Sequence, residues 1–236
     1  MSSVWAVPAI QAEESERAGF LRKVGALTVT GLGASAVAAT TSALVIGAIP
    51  ALWNQVAQLV IILGCWALAQ MVFGPMIGNS RSMAVKLGAY YAGSISQGVA
   101  LGYMLLVAVT VSVNDGNNPF LIVGQAMALT ALTGVGMLGW LFSGPKDLSM
   151  VRGALAIAWL PMLALMAITF IFPVGGIMGI LISAVFVAIS TAGLLYQLNQ
   201  VMHTTPTDRW VEGSYQITLG LLVLFWNILS LLSRRR

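Results

Sequence analysis

Long apolar stretches, separated by short polar or Gly/Pro-rich breaks, make up almost the whole chain. A helix that crosses a bilayer needs about 20 mostly apolar residues, because the hydrocarbon core is about 30 Å thick. Seven stretches meet this length: 24–50, 54–77, 84–112, 120–143, 153–173, 175–202 and 213–233. Since backbone N–H and C=O groups find no water in lipid, each stretch must be helical. The pattern predicts an all-α integral membrane protein with seven transmembrane helices.

The spans leave no room for a separate soluble domain. We therefore divide the chain into an N-terminal tail (1–23), a single seven-helix transmembrane domain (24–233) and a basic C-terminal tail (234–236). Residues 15–23 carry mixed charges directly before the first apolar stretch. That stretch is too long for the core of a signal peptide, so we interpret it as the first true span.

Lys and Arg in the short connections predict the orientation, because they concentrate on the cytoplasmic side. One side carries Arg17, Arg22, Lys23, Arg81, Lys86, Lys146, Arg152 and Arg209. The other side has no Lys or Arg in its three connections, which places the N-terminus in the cytoplasm. Seven complete spans would put the tail 234–236 outside, against this rule. We favour seven spans, with a re-entrant last segment as the alternative.

Composition supports a membrane protein and excludes several other classes. The chain is 58% hydrophobic and 8% charged, whereas soluble domains have about 25% charged residues. The net charge of +4 is scattered singly between the spans, which does not indicate a nucleic-acid surface. The single cysteine, Cys65, cannot form an intramolecular disulfide and belongs to no metal motif. The expected partner is the lipid bilayer, with no cofactor.

Charged side chains inside a membrane would mark a functional site. All seven acidic residues fall in the predicted tail or loops: Glu13, Glu14, Glu16, Asp115, Asp147, Asp208 and Glu212. The basic residues do the same, and the only histidine, His203, falls at a span boundary. The sequence therefore predicts no catalytic residue, no proton relay and no metal site, and we do not expect an enzyme.

Neutral polar residues cluster at the predicted cytoplasmic ends of the last two spans. They are Tyr196, Gln197, Asn199, Gln200 and His203 at the end of one span, and Ser214 and Thr218 at the start of the next. Residues three apart, such as Gln197 and Gln200, share a helix face. The short connection brings the two spans together, which predicts a polar cluster built from two helices.

Small residues mark the expected helix contacts. Gly98 and Gly102 are four residues apart in the third stretch, and Gly175 and Gly179 have the same spacing. This spacing puts both glycines of a pair on one helix face, where another backbone can come close. We expect helix packing, rather than ligand binding, at these glycines.

These features together resemble the Bax inhibitor-1 family of small multi-span membrane proteins along nearly the whole chain. The similarity runs through 16–23 (ERAGFLRK), 96–102 (SQGVALG), 128–152 (ALTALTGVGMLGWLFSGPKDLSMVR), 196–200 (YQLNQ) and the last span at 219–232. The resemblance implies seven helices with the last one central. It also implies calcium leak across membranes, tuned by pH, and a role in stress or cell-death control. Some bacterial relatives are thought to modulate a membrane-bound protease.

The chain departs from the family at the positions that imply acid sensing. The family has an aspartate where this chain has Gln197, and a second one early in the last helix, where Gly220 aligns. Many members have a glutamate where this chain has Gln97. In the family the two aspartates close the pore, since neighbouring carboxylates share a proton. The resemblance makes Gln197, Gln200, Gly220 and Gln97 the candidate pore or gate residues, without an acid switch.

Two functions compete on these grounds. The first is a calcium leak pathway without acid gating. The alternative is a non-conducting regulator or accessory subunit of a larger membrane-protein complex, such as one that contains a membrane protease. A transporter for a neutral solute ranks last, because no internal repeat is found. The short chain suits a bacterial inner membrane.

Overall fold

The computed structural model describes residues 8, 11–142, 148, 151, 153–155, 157 and 176–234. The long elements of this part of the chain are all helices. They are α1 (Glu14–Ala48), α2 (Gln55–Ala67), α3 (Gly74–Asn79), α4 (Met83–Asn114), α5 (Leu121–Phe142), α6 (Gly176–His203) and α7 (Trp210–Arg234). A π-helical segment, Leu68–Phe73, joins α2 to α3, and short 3-10 turns precede α2 and α7.

Six helical stretches among the described residues are long and apolar enough to cross a membrane. They are Glu14–Ala48, Gln55–Asn79, Met83–Asn114, Leu121–Leu138, Gly176–His203 and Thr207–Arg234. The all-helical fold and six of the predicted stretches are thereby confirmed. The predicted stretch 153–173 lies largely outside the described residues, as does Gly175. The seven-span count and the central last helix stay predictions.

Helix α1 begins ten residues earlier than the first predicted span, inside the segment 1–23. The cause is an apolar face on these early turns, since Phe20 and Val24 are four residues apart and both buried. They form a cluster with Val201, which is also buried. Charged residues are interspersed with these apolar ones in the first turns of α1, so a sequence window centred on hydropathy places the boundary too late.

The second span is interrupted in its interior, although the sequence pattern predicts one unbroken stretch. Pro75 has no N–H and its ring clashes with the carbonyl four residues earlier, so a regular helix cannot continue through it. The backbone responds with a wider turn, in which the N–H of Gly74 donates to the carbonyl of Ala69, five residues back. The α2 part of this span has no buried residue, whereas Ala69 and Ile77 beyond it are buried.

The contacts between residues divide the chain into two compact units. The first unit consists of Met1–Leu106 with Gln200–Leu222, and the second of Val107–Asn199 with Val223–Arg236. The core of the first unit is an apolar cluster of Leu27, Ile77, Ala89, Tyr90, Val211, Tyr215 and Leu219. In the second unit the buried apolar residues include Ala108, Ile122, Val123, Ala126, Leu194, Leu198, Leu224, Ile228 and Leu229.

Two glycines of α4 lie against α1 in the first unit. A Cβ atom added to Gly98 would lie 2.8 Å from the Cβ of Ala38 and would overlap the carbonyl oxygen of Ser35. A Cβ added to Gly102 would overlap the hydroxyl of Ser42. Because the backbones approach so closely, the α1 hydroxyls reach the main chain of α4. Ser35 Oγ lies 2.8 Å from the carbonyl oxygen of Ser94, and Ser42 Oγ 3.1 Å from that of Val99.

Replacement of Gly98 by alanine is expected to destabilise the protein. The new methyl group must displace α1, and overpacking of this kind costs about 1–3 kcal/mol. The matched control is Gly33→Ala on α1, where an added Cβ meets nothing within 4 Å. We expect Gly98→Ala, but not Gly33→Ala, to lower the temperature at which the detergent-solubilised protein aggregates. Equal aggregation temperatures for the two variants would contradict the close contact between α1 and α4.

Candidate functional site

The predicted gate residue Gln197 lies near the end of α6, in the second unit, together with Tyr196 and Asn199. All three side chains are half-buried. Gln197 Oε1 and Asn199 Oδ1 are buried atoms with no hydrogen-bond partner among the described residues. Burial of an amide oxygen without a partner is costly, so such an atom in a native protein requires an explanation. Gln197 and Asn199 are two residues apart and therefore face different sides of α6.

Gln200 and His203 belong to the first unit and form the last turn of α6. The main-chain oxygen of Gln200 accepts hydrogen bonds from the N–H and the hydroxyl of Thr204, at 2.8 and 2.7 Å. This double contact caps the helix, because a hydroxyl replaces the missing N–H of a further turn. Both side chains are half-buried. The main chain of Gln200 therefore has a defined structural role at the helix end.

Gln97 lies on α4 in the first unit, beside the packing residue Gly98. Its Nε2 atom is buried and has no partner among the described residues. The preceding residue, Ser96, donates from its hydroxyl to the carbonyl oxygen of Cys65, at 3.0 Å. The fourth candidate, Gly220, is buried within α7 and offers no side chain for gating.

Ser214 and Thr218 of α7 are brought together with Tyr90 of α4, a residue that the sequence analysis did not select. Tyr90 Oη lies 2.8 Å from Thr218 Oγ1 and donates to the carbonyl oxygen of Leu27 on α1, at 2.7 Å. Thr218 Oγ1 lies 2.8 Å from the carbonyl oxygen of Ser214. We call this group (Leu27, Tyr90, Ser214 and Thr218) the hydroxyl cluster. It connects three helices of the first unit.

A glycine provides the space for the buried tyrosine of the hydroxyl cluster. Tyr90 has no exposed surface, and a Cβ added to Gly31 of α1 would overlap its hydroxyl. A four-residue repeat on α4 was the available sequence signal, because Lys86, Tyr90, Ser94, Gly98 and Gly102 are each four residues apart. Such residues form one stripe along a helix, and the structure shows several of them facing α1.

Tyr215 connects α7 to the π-helical segment of the second span. Its hydroxyl donates to the carbonyl oxygen of Ala69 at 2.8 Å, and this carbonyl also accepts from the N–H of Gly74. Space for the ring comes from Gly93 of α4, where a Cβ would overlap the Tyr215 hydroxyl. The wide turn thus presents a main-chain oxygen to a buried side chain of another helix.

An ion pair lies at the starts of α4 and α7 and corrects the sequence analysis, which placed Glu212 in a loop. Lys86 Nζ lies 3.1 Å from Glu212 Oε1, and the two side chains are only 16% and 18% exposed. Glu212 occupies the first turn of α7, where a negative charge interacts favourably with the helix dipole. Arg209, which is 57% exposed, lies 3.7 Å from the other oxygen of Glu212. The hydropathy pattern did not indicate this pair, because α7 begins at Trp210, three residues before the predicted span.

The described residues contain no group of three or more His, Cys, Asp and Glu side chains that could hold a metal ion. The neutral polar groups that these residues place within the spans are amides, hydroxyls and main-chain oxygens. These groups can bind water or bind a cation weakly.

Two comparisons with known proteins show what this chain is similar to. The sequence model of the family described as "Inhibitor of apoptosis-promoting Bax1" matches residues 17–236. A relative from Pseudomonas aeruginosa, "Uncharacterized protein PA2604", is 26% identical over 110 residues. The matched region covers 47% of this chain and 49% of the relative, so the chain spans about half the length of that protein.

Loss of the Tyr90 hydroxyl is expected to destabilise the first unit. In Tyr90→Phe the oxygen of Leu27 and the hydroxyl of Thr218 each lose a buried partner, at a cost of about 1–2 kcal/mol. Tyr91→Phe is the matched control, because the Tyr91 hydroxyl makes an exposed contact with Thr30, at 3.0 Å. Thermal unfolding of both variants in lipid nanodiscs measures the difference. Equal unfolding temperatures for the two variants would show that the hydroxyl cluster does not stabilise the first unit.

Proposed function

Because the chain belongs to the Bax inhibitor-1 family, we propose that this multi-pass membrane protein provides a calcium leak pathway that does not respond to acid. The observation that carries the proposal is Gln197, whose buried Oε1 atom has no partner among the described residues. It occupies the position at which family members have an aspartate of the acid switch. An amide cannot ionise, so proton concentration does not change its charge.

The unpartnered amide atoms support a hydrated pathway. Besides Gln197, they belong to Gln97, Asn199 and Gln216. A buried amide is stable when water or an ion supplies the missing hydrogen bond or contact. The unpartnered oxygens of Gln197, Asn199 and Gln216 can each hold water or a permeating cation, and the unpartnered Nε2 of Gln97 can donate to water.

The neutral character of these groups favours passage over tight binding. Calcium binds strongly where several carboxylates are among its six to eight oxygen ligands. The described carboxylates at the spans lie at helix starts: Glu212 of α7 forms an ion pair with Lys86, and Glu14 and Glu16 lie in the first turn of α1. Conduction requires sites that an ion can leave again, and amide and main-chain oxygens provide weak sites of this kind.

The cellular location and the orientation of the chain are part of the proposal. We infer a cytoplasmic N-terminus, because Lys and Arg concentrate on the side of the N-terminal tail. The similarity to a protein of Pseudomonas aeruginosa supports a bacterial inner membrane. On this orientation the ion pair between Lys86 and Glu212 lies at the cytoplasmic surface.

A non-conducting regulator of a larger membrane complex is the second candidate. It is favoured by α2, which has no fully buried residue and exposes one side, including Val56, Val60 and Leu63. Extraction in a mild detergent, followed by mass spectrometry of co-purifying proteins, tests this alternative. Recovery of this chain without any other protein, together with calcium flux, would exclude it.

Calcium flux into proteoliposomes tests the leak. We expect wild-type protein to admit calcium at similar rates at acidic and slightly alkaline pH, because Gln197 does not titrate. Gln197→Leu removes the amide and should slow the flux, whereas Gln125→Leu, at an exposed glutamine of α5, should leave it unchanged. A wild-type rate equal to that of empty vesicles would refute the leak. A strong pH response would refute the role given to Gln197.

Restoration of the acid switch is expected to need two changes. Gln197→Asp alone lacks the second carboxylate, because Gly220 stands at the position of its partner, and its flux should stay independent of pH. The double variant Gln197→Asp with Gly220→Asp should show pH-dependent flux, because it restores both carboxylates of the family's acid switch, and paired carboxylates share a proton. A pH response in the single variant would show that the partner carboxylate does not align with Gly220.

A further inference from the structure

The second span, Gln55–Asn79, differs from the other described spans in how little of it is packed. Its most apolar window is 6% buried, whereas the other five windows are 22–44% buried. Exposed residues form an outward surface on this span, which we call the outer face: Val60, Leu63, Gly64, Leu68, Gln70 and Met71. Five of these six residues are apolar or glycine, as expected for contact with lipid.

Gln70 is the exception on the outer face. It lies nine residues before the last residue of the span, Asn79, hence about 14 Å from that end, near the middle of a hydrocarbon core about 30 Å thick. Its side chain is exposed, and no hydrogen bond joins its amide to another described residue. Acyl chains cannot donate or accept a hydrogen bond, so lipid leaves this amide unsatisfied.

We propose that the outer face is a docking surface for a second copy of this chain, with the two Gln70 amides hydrogen-bonded to each other across a two-fold axis. A glutamine amide has both a donor and an acceptor, so two identical side chains can satisfy each other reciprocally. A two-fold interface places the same residue of each copy opposite its equivalent near the axis. The outer face is self-complementary in this sense.

The depth of Gln70 favours a second copy over an unrelated helix. An unrelated partner must present a polar group at the same depth in the membrane. A second copy with the same orientation does so automatically, because a two-fold axis along the membrane normal preserves depth. Gly64 adds the space for close approach, since a Cβ at this position would meet nothing within 4 Å. Val60, Leu68 and Met71 supply apolar contacts around it.

Energy transfer between fluorescently labelled copies in proteoliposomes tests the proposal. Gln70→Leu keeps the surface apolar and removes both reciprocal hydrogen bonds. The association constant should fall about eightfold, the effect of two interhelical hydrogen bonds of average strength. Gln125→Leu on α5 is the matched control, because Gln125 is also an exposed glutamine, and it should not change the association. Gln70→Asn keeps an amide on a shorter side chain, so its association constant should lie between those of the wild type and Gln70→Leu.

Cysteine cross-linking locates the surface independently of energy transfer. Cys65 is the single cysteine, so Cys65→Ala gives a cysteine-free chain. In this background Met71→Cys, which leaves Gln70 in place, should form a disulfide-linked dimer in native membranes. Val29→Cys on α1 should not, although Val29 and Met71 are equally exposed at 69%.

Three results would overturn the proposal. They are copies that remain monomeric at all protein densities, association that Gln125→Leu weakens and Gln70→Leu does not, and cross-linking at Val29 rather than at Met71. The first result would leave Gln70 facing lipid, and the other two would place the contact between copies on another helix.

Discussion

Hydroxyl groups that donate to main-chain carbonyl oxygens of other segments hold the first unit together. Seven such contacts occur among the described residues: Tyr90 with Leu27, Ser35 with Ser94, Ser42 with Val99, Ser96 with Cys65, Tyr103 with Leu52, Ser214 with Val24, and Tyr215 with Ala69. A carbonyl oxygen has two lone pairs, so it can accept such a bond and keep its own helical one. Lipid chains form no hydrogen bonds, so they do not compete for these groups. Polar side chains can therefore hold helices together in a membrane, where no hydrophobic effect acts between the helices.

Glycine residues make these hydroxyl contacts possible. A hydroxyl reaches a neighbouring carbonyl only where two backbones are close, and Gly98 and Gly102 provide that closeness between α1 and α4. Two further glycines, Gly31 and Gly93, make room for tyrosine rings rather than for a backbone. The energy of each bond is modest, about 0.6 kcal/mol for an interhelical contact in a membrane. The regular spacing of several contacts along one helix is what fixes the register.

A charged pair and the neutral polar groups lie in different parts of the described spans. The ion pair of Lys86 and Glu212 lies where α4 and α7 begin, while the described interiors of the spans carry amides and hydroxyls. The amide of Gln197 is among these neutral groups. The same neutrality makes Gln70 conspicuous, because an amide on a lipid-facing surface has no partner within its own unit.

The sequence by itself determined the class of the protein and the approximate extent of six helices, because lipid excludes water and forces every long apolar stretch to satisfy its own backbone. It also determined the family, through motifs spread along the chain, and the absence of a titratable group at Gln197. It could not determine which polar groups meet. Tyr90 and Thr218 are 128 residues apart, Lys86 and Glu212 are 126 apart, and Tyr215 and Ala69 are 146 apart. Only the tertiary structure decided these pairs and the wide turn before Pro75, because hydropathy records the depth of a residue but not the direction in which its side chain points.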